Sequence, residues 1–264
     1  MYKEYWKLKE SPFEANPDPK FFYKSSMHEE ALIRLLYVVS GTNKGAALLT
    51  GEVGSGKTLS CKIFSQMIKN EKTVFFPMPF NSEIEFLKEI FYQLKIEMPS
   101  DQKVDLVRRL NEELIHNFQS GKKTIVVMDE CQAIQNLQVF DELRLLLNLQ
   151  YNNQFLLTLI FVGQPELREM IKKIPQLNQR IAVRYHIANL SLQDTINYIV
   201  FRLKVAGLTR GIFTREAIEL IFEFTTGVPR KVNNICDLCL LTGYGLKSEI
   251  INTKIVSKIL EEYK

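Results

Sequence analysis

The eight residues 51–58 constrain the fold of this chain more than any other stretch. They read Gly-Glu-Val-Gly-Ser-Gly-Lys-Thr, which matches G-x-x-x-x-G-K-[ST] at every defined position. An apolar run at 45–50 predicts a strand before the motif, and an amphipathic run at 59–69 predicts a helix after it. An ordinary glycine turn is the alternative, but this context favours a loop whose backbone N–H groups surround phosphates.

A phosphate-binding loop of this kind predicts a nucleotide ligand, with ATP and Mg²⁺ as cofactors. Lys57 is expected to reach the β- and γ-phosphates, and the Thr58 hydroxyl is expected to ligate Mg²⁺. The predicted nucleotide contacts are Gly51, Glu52, Val53, Gly54, Ser55, Gly56, Lys57, Thr58 and Leu59.

A second apolar stretch, 124–128, ends in the adjacent carboxylates Asp129 and Glu130. Because burying an unpaired carboxylate is costly, both are expected at the carboxyl edge of a sheet, where open α/β sheets bind ligands. We expect Asp129 to hold Mg²⁺ through water and Glu130 to act as the general base that polarises the attacking water. Together with the loop, the pair favours ATP hydrolysis to ADP and phosphate.

Strand and helix patterns alternate along most of the chain. Apolar runs at 45–50, 73–78, 124–128, 155–162 and 183–188 predict five strands, and the helices between them predict parallel pairing. The runs are continuous rather than alternating, which is typical of a sheet covered on both faces. The predicted class is α/β: a phosphate-loop fold with a five-stranded parallel sheet between helices, followed by a small all-α lid domain.

Three domains are expected: an extended, aromatic-rich arm at 1–27, the α/β nucleotide-binding domain at 28–189 and the helical lid at 190–264. Pro12, Pro17 and Pro19 exclude a continuous helix in the arm. Ser26 and Glu29 predict the capping box of the first helix.

The composition is that of a globular protein in a reducing compartment. Hydrophobic residues make up 46% and the formal net charge is +4, so disorder is excluded and a nucleic-acid partner is permitted but not required. Four cysteines are too few for a disulfide scaffold, and Cys236 and Cys239 share an apolar helical face typical of core packing. No apolar run approaches the ~20 residues of a membrane span. We therefore expect a cytoplasmic protein, with a peripheral place at the inner membrane open to it.

Further stretches complete a pattern that extends over most of the chain. They are Phe13-x-x-x-Pro17-Asp18-Pro19-x-Phe21-x-Tyr23, His28-Glu29-x-Ala31-Leu32, Met128-Asp129-Glu130-Cys131-Gln132, Val162-Gly163-Gln164-Pro165-Glu166-Leu167, Gln179-Arg180-Ile181 and Gly227-x-Pro229-Arg230-x-x-Asn233. With the loop, they resemble the AAA+ ATPases and, among these, the ExeA/GspA-type group of bacterial general secretion pathway ATPases. The group usually has Ala where this chain has Cys131.

The resemblance implies three further catalytic residues. Gln164 would be the sensor-1 residue that detects the γ-phosphate or orients the water. Arg180 would be an arginine finger that reaches the nucleotide of a neighbouring subunit, with Arg184 as the alternative, and Arg230 would be sensor 2 of the lid. A solvated surface charge is the simpler interpretation of each arginine. A finger acting in trans implies an ATP-dependent homo-oligomer, either a ring or a helical filament.

Two classes of function remain open at this point. The first is an assembly or switch ATPase for a bacterial secretion or polysaccharide export system, with a membrane protein of that system as partner. The second is a transposition regulator of the MuB/TniB/TnsC kind that binds duplex DNA. Residues 163–185 hold five basic and two acidic side chains, which suits either a DNA channel or a subunit interface. The resemblance favours export.

Overall fold

The computed structural model describes residues 2–14, 18–41, 44–78, 80 and 82–263, and Pro17 lies outside them. The chain forms two compact units. The sheet unit contains Glu29–Gly51 and Ser60–Ile187, and the helical unit contains the described residues up to His28, the loop Glu52–Leu59 and the chain from Ala188 onward. The loop therefore groups by its contacts with the helical unit, although the strand before it belongs to the sheet.

The described residues form the following regular elements. The strands are β1 Ala46–Gly51, β2 Lys72–Phe76, β3 Thr124–Met128, β4 Gln150–Tyr151, β5 Gln154–Phe155, β6 Leu157–Gly163 and β7 Ile181–Ile187. The helices are α1 Tyr2–Trp6, α2 Ser26–Ser40, α3 Lys57–Met67, α4 Glu83–Leu94, α5 Lys103–Gln119, α6 Leu137–Leu146, α7 Glu166–Lys172, α8 Pro175–Arg180, α9 Leu192–Val205, α10 Arg215–Thr225, α11 Pro229–Gly245 and α12 Thr253–Glu262. Short 3-10 helices cover Pro19–Phe21 and Cys131–Ala133.

The sheet unit is built on five parallel strands in the order β2-β3-β6-β1-β7, so the predicted five-stranded parallel sheet is confirmed. Every residue of β1, β3 and β6 is buried, which explains why these strands read as unbroken apolar runs. Because the strands are parallel, the ends of β1, β3 and β6 lie at one edge. That edge is marked by Gly51, Met128 and Gly163.

The outer strand β2 is shielded by a side chain. Gln93 on α4 accepts a hydrogen bond from the Phe75 N–H at 2.8 Å and donates to the Phe75 carbonyl at 2.9 Å. Its amide thereby pairs the backbone as another strand would. Such pairing protects an edge strand from association with other chains.

The helical unit has its own core, formed by α9 to α12 together with residues of the amino-terminal arm. Trp6 is 1% exposed and donates its indole N–H to the Leu240 carbonyl at 2.9 Å. Phe13 and Phe21 are buried in the same cluster. The arm thus contains a helix, α1, where the sequence predicts an extended segment. The indole packs against α11, and this tertiary contact stabilises a helix too short to form alone.

A buried arginine joins the arm to the lid helices. Arg202 on α9 donates to the carbonyls of Pro12 and Glu14, lies over the Phe21 ring at 4.8 Å, and donates to the Tyr198 hydroxyl at 2.8 Å. Tyr198 donates in turn to the Asn233 side chain at 2.8 Å, and burial raises the pKa of its hydroxyl. These buried hydrogen bonds hold the arm against α9.

Side chains cap several helices, and the predicted cap of α2 is shifted. The side chains of Ser191 and Thr214 accept hydrogen bonds from the first turns of α9 and α10. Helix α2 begins at Ser26, and the hydroxyl that accepts from the His28 N–H at 3.4 Å belongs to Ser25. The predicted cap is therefore wrong by one residue.

All four cysteines are free and buried. Burial raises the pKa of the Cys239 thiol to about 12 and moves the pKa of Cys236 in the same direction. Thiols that stay protonated are poor nucleophiles, so both act as core residues. In the described part of the chain, no helix is long and apolar enough to cross a membrane.

Candidate nucleotide-binding site

The loop that follows β1 has the backbone of an anion-binding loop. Gly54 and Gly56 take φ values of +82° and +95°, which residues other than glycine rarely adopt. Lys57 is 5% exposed, and its ammonium donates to the Glu52 carbonyl at 2.8 Å. The buried Ser55 hydroxyl has no hydrogen-bond partner among the described residues. A loop with two glycines at positive φ, a buried lysine and an unpaired hydroxyl has the groups expected to bind the triphosphate that the motif predicts.

His28 supports the loop from one side. Its Nε2 lies 2.9 Å from the Ser55 carbonyl and its Nδ1 lies 2.7 Å from the Ser25 hydroxyl. Because a carbonyl only accepts, Nε2 carries the hydrogen and Nδ1 accepts from Ser25. Burial lowers the pKa of the imidazole, while the bond to Ser55 and the charge of Asp194 act in the other direction. A Cβ on Gly56 would come within 2.8 Å of Nε2.

The start of α11 supports the loop from another side. The Arg230 N–H donates to the Gly54 carbonyl at 3.3 Å. A Cβ added at Gly54 would lie 2.6 Å from the Arg230 Cβ and 3.4 Å from Val228. The Arg230 side chain is exposed. The structure therefore brings this predicted sensor residue to the loop by its backbone.

A cavity with aromatic walls opens beside the loop. It holds about 330 Å³ of empty space, part of it open to solvent. Its walls come from the arm, the loop, the first turn of α3 and the lid: Phe21, Phe22, Tyr23, His28, Gly56, Leu59, Leu190, Tyr198, Arg202 and Pro229. Residues of the arm and of the loop therefore line the same cavity.

In the sheet unit, Asp129 and Glu130 follow β3 at the carboxyl edge. Asp129 is 2% exposed, and its carboxylate accepts from the Glu130 N–H at 2.9 Å. Glu130 has a φ of +53°, a left-handed conformation that costs energy in a residue with a Cβ and that is often found at functional sites. As a result of this turn, Asp129 is buried whereas Glu130 is partly exposed.

Gln132 and Gln164 lie at the same edge. The Gln132 amide donates to the Glu130 carboxylate, and its carbonyl accepts from the Gln164 N–H at 3.0 Å. Neither Gln132 nor His28 has a role predicted from the sequence, although both stand in the stretches that carry the resemblance. The periodicity of a sequence cannot predict their hydrogen bonds, because these depend on side-chain conformation in the folded chain.

Arg180 and Arg184 lie away from these groups, around the end of α8 and along β7. Arg180 donates to the Asn148 side chain at 2.9 Å and lies over the Phe155 ring at 5.5 Å. Arg184 donates to the Ile181 carbonyl at 3.0 Å and to the Asn178 side chain at 2.9 Å. Both guanidinium groups are at least partly exposed, as a residue acting on a neighbouring subunit would have to be.

Potential metal ligands are scattered among the described residues. No cluster of three or more His, Cys, Asp or Glu side chains suited to a metal occurs in the described ranges. Thr58 in the helical unit and Asp129 in the sheet unit are the residues that the sequence predicts as Mg²⁺ ligands. Both carry oxygen atoms, which Mg²⁺ prefers as ligands.

Comparison with known proteins shows the family of the chain. A family model described as an AAA domain matches residues 40–171, half of the chain. A protein of Aeromonas hydrophila named general secretion pathway protein A is 36% identical over 255 residues, which cover 95% of this chain and 46% of that protein. A potential ATP-binding protein of Staphylococcus aureus is 23% identical, over 70% of this chain and 76% of its own length.

Among solved structures, that of the Aeropyrum pernix ORC2 protein, in its ADPNP-ADP complexes, superposes with a TM-score of 0.69. The two sequences are 17% identical, and the superposition covers 96% of this chain and 72% of the ORC2 chain. The fold is therefore an α/β AAA+ phosphate-loop fold with a helical region at its carboxyl end, and the chain belongs to the AAA domain family. Within the family it is related to general secretion pathway protein A, of whose length it spans about half.

Proposed function

We propose that this protein binds ATP with Mg²⁺ and hydrolyses it to ADP and phosphate. The observation that carries the proposal is the loop: two glycines at positive φ, a buried lysine and a buried unpaired hydroxyl, held by His28 and by the start of α11. The relative named as a potential ATP-binding protein supports the choice of nucleotide.

In this proposal each polar group has one task. The loop from Gly51 to Leu59 binds the phosphates, with Lys57 neutralising their charge. Thr58 and Asp129 hold the Mg²⁺, which when bound would neutralise charge developing on the phosphates. Glu130 accepts a proton from the attacking water, and Gln164 orients that water.

The proposal is tested by separating binding from turnover. Glu130→Gln should keep its affinity for ATP and lose ~10²–10⁴ in kcat, as expected on removing a general base. Lys57→Ala should weaken nucleotide binding itself. Glu166→Gln, an exposed carboxylate at the first turn of α7, is the matched control and should resemble the parent chain. Parental turnover by Glu130→Gln would exclude Glu130 as the base.

We further propose that ATP drives assembly of a homo-oligomer, a ring or a helical filament, in which Arg180 and Arg230 complete the active site. An arginine supplied by a neighbour is worth ~10³–10⁵ in rate, and the exposed side of Arg180 suits this role. Sedimentation with ATP, with ADP and without nucleotide tests the assembly. A monomer under all three conditions would contradict it.

For the biological role we propose an assembly ATPase of a bacterial secretion or export system, acting in the cytoplasm at the inner membrane with a membrane partner. The name of the Aeromonas hydrophila relative supports this role. The alternative is an ATP-dependent, duplex-DNA-binding transposition regulator, and the basic stretch 163–185 is the observation that favours it. In that stretch Lys172 is already paired with Glu169 at 2.7 Å.

The two roles separate in one assay. ATPase rate and sedimentation are measured with and without duplex DNA, at low and moderate salt. Binding through phosphate contacts would raise the rate or the particle size and would fall steeply with salt. No response to DNA would exclude the regulator and leave the export role.

A further inference from the structure

Gln132 makes two hydrogen bonds that end on two different candidate catalytic residues. Its amide nitrogen donates to a carboxylate oxygen of Glu130, and its amide oxygen accepts from the Gln164 N–H at 3.0 Å. A glutamine side chain has one donor end and one acceptor end. Here the two partners fix its orientation, because a carboxylate cannot donate and an N–H cannot accept.

The surrounding backbone is arranged so that this bridge can form. A Cβ at Gly163 would lie 2.5 Å from the Gln132 amide oxygen and 2.8 Å from the Leu167 side chain, so only glycine leaves room for the amide at the end of β6. On the other side, the buried Cys131 donates its thiol to the Met128 carbonyl at 3.1 Å. This bond holds the 3-10 turn that presents Gln132.

We propose that Gln132 is a positioning residue that couples Glu130 to the end of strand β6. The amide holds one carboxylate oxygen of Glu130 and leaves the other oxygen for the attacking water. A displacement of the Gln164 backbone, when Gln164 meets the γ-phosphate, passes through the amide to the base. The inference rests on the proposed hydrolysis of ATP.

Two substitutions test the donor and the whole bridge separately. Gln132→Ala removes both bonds. Gln132→Glu keeps an acceptor for the Gln164 N–H but places a second carboxylate against Glu130, so the base is pushed away. Both variants should bind ATP within about twofold of the parent chain and lose at least about tenfold in kcat, less than the ~10²–10⁴ for loss of the base itself. The exposed Gln135→Ala on the same loop is the matched control.

A double-substitution cycle distinguishes positioning from general damage. If Gln132 acts only through Glu130, adding Gln132→Ala to Glu130→Gln should not lower kcat further, since coupled residues are not additive. Unchanged kcat in Gln132→Glu, or an additive loss in the double variant, would overturn the inference. Absence of ATP hydrolysis by the parent chain would instead overturn the proposed function, so the two failures are distinguishable.

Discussion

Acid should lower the stability of the folded chain through one buried histidine, His28, and one substitution should remove the effect. His28 is 5% exposed and donates to the Ser55 carbonyl. Its pKa is lowered, first because burial penalises the charged ring, while the bond to Ser55 and the charge of Asp194 offset this only in part. The folded chain therefore keeps the imidazole neutral at a pH where the unfolded chain protonates it.

The sign and size follow from proton linkage. An unfolded histidine titrates near ~6.5, so below that pH the unfolded state binds more protons and the free energy of unfolding falls. The contribution of neutral His28 to the free energy of unfolding is complete above the pKa of histidine in the unfolded chain. It is lost as the pH falls below that value, with a slope of at most about 1.4 kcal/mol per pH unit. At pH 5.5 the loss from His28 is at most about 1.4 kcal/mol. For a chain of this size, that corresponds to about 3–6 °C in the unfolding temperature.

The assay compares unfolding temperatures at pH 7.5 and 5.5 for the parent chain, His28→Gln and His116→Gln. A glutamine at position 28 can still donate to the Ser55 carbonyl but does not titrate. Between pH 7.5 and 5.5 the unfolding temperature of His28→Gln should therefore fall less than that of the parent chain, by up to about 3–6 °C. His116 is exposed on α5, and its substitution should leave the decrease unchanged. Equal decreases in the parent and His28→Gln would refute the assignment of a depressed pKa to His28.

Three further outcomes are expected. Arg180→Ala should bind ATP and barely hydrolyse it, and mixing it with Glu130→Gln should restore activity at interfaces that join the two intact residues; no gain in ATPase rate in confirmed mixed assemblies would move the assignment to Arg184. Phe22→Leu should raise the Kd for ATP about tenfold if a base stacks on Phe22, which is worth ~1–3 kcal/mol, and should leave the competition constant of tripolyphosphate unchanged; equal effects on both ligands would remove the ring from a base site. Trp6→Ala should lower the free energy of unfolding in urea by about 3–5 kcal/mol, whereas substitution of the exposed Tyr37 by Ala should lower it by less than about 0.5 kcal/mol. A loss for Trp6→Ala close to that for Tyr37→Ala would contradict the role of Trp6 in the core.

The sequence predicts the sheet well because the strand signal is strong. The five predicted strands occur, and 124–128 matches β3 residue for residue. The predicted strand 155–162 is partly wrong. Its first residue belongs to the hairpin of β4 and β5, where Asn152 and Asn153 take positive φ values. The Asn-Asn pair is itself a turn signal, but the apolar residues after it hide where the turn ends.

Short elements escape a periodicity argument. Helices α7 and α8 have seven and six residues, too few for two turns of an apolar pattern. Helix α1 depends on the contact of Trp6 with a carbonyl 234 residues away, which no local pattern encodes. The same limit applies to the site. The motif residues can be read directly, whereas the supports given by His28 and Gln132 need distances between side chains.

These supports change how the loop is understood. A phosphate-binding loop is usually described as the connection between a strand and a helix, yet here its residues group with the helical unit. The Gly54 carbonyl is bonded to the start of α11, and the Ser55 carbonyl is bonded to the histidine that follows the arm. The arm is in turn joined to α9 through Arg202. Hydrogen bonds within the helical unit therefore link the loop to both the arm and the helices that follow the sheet.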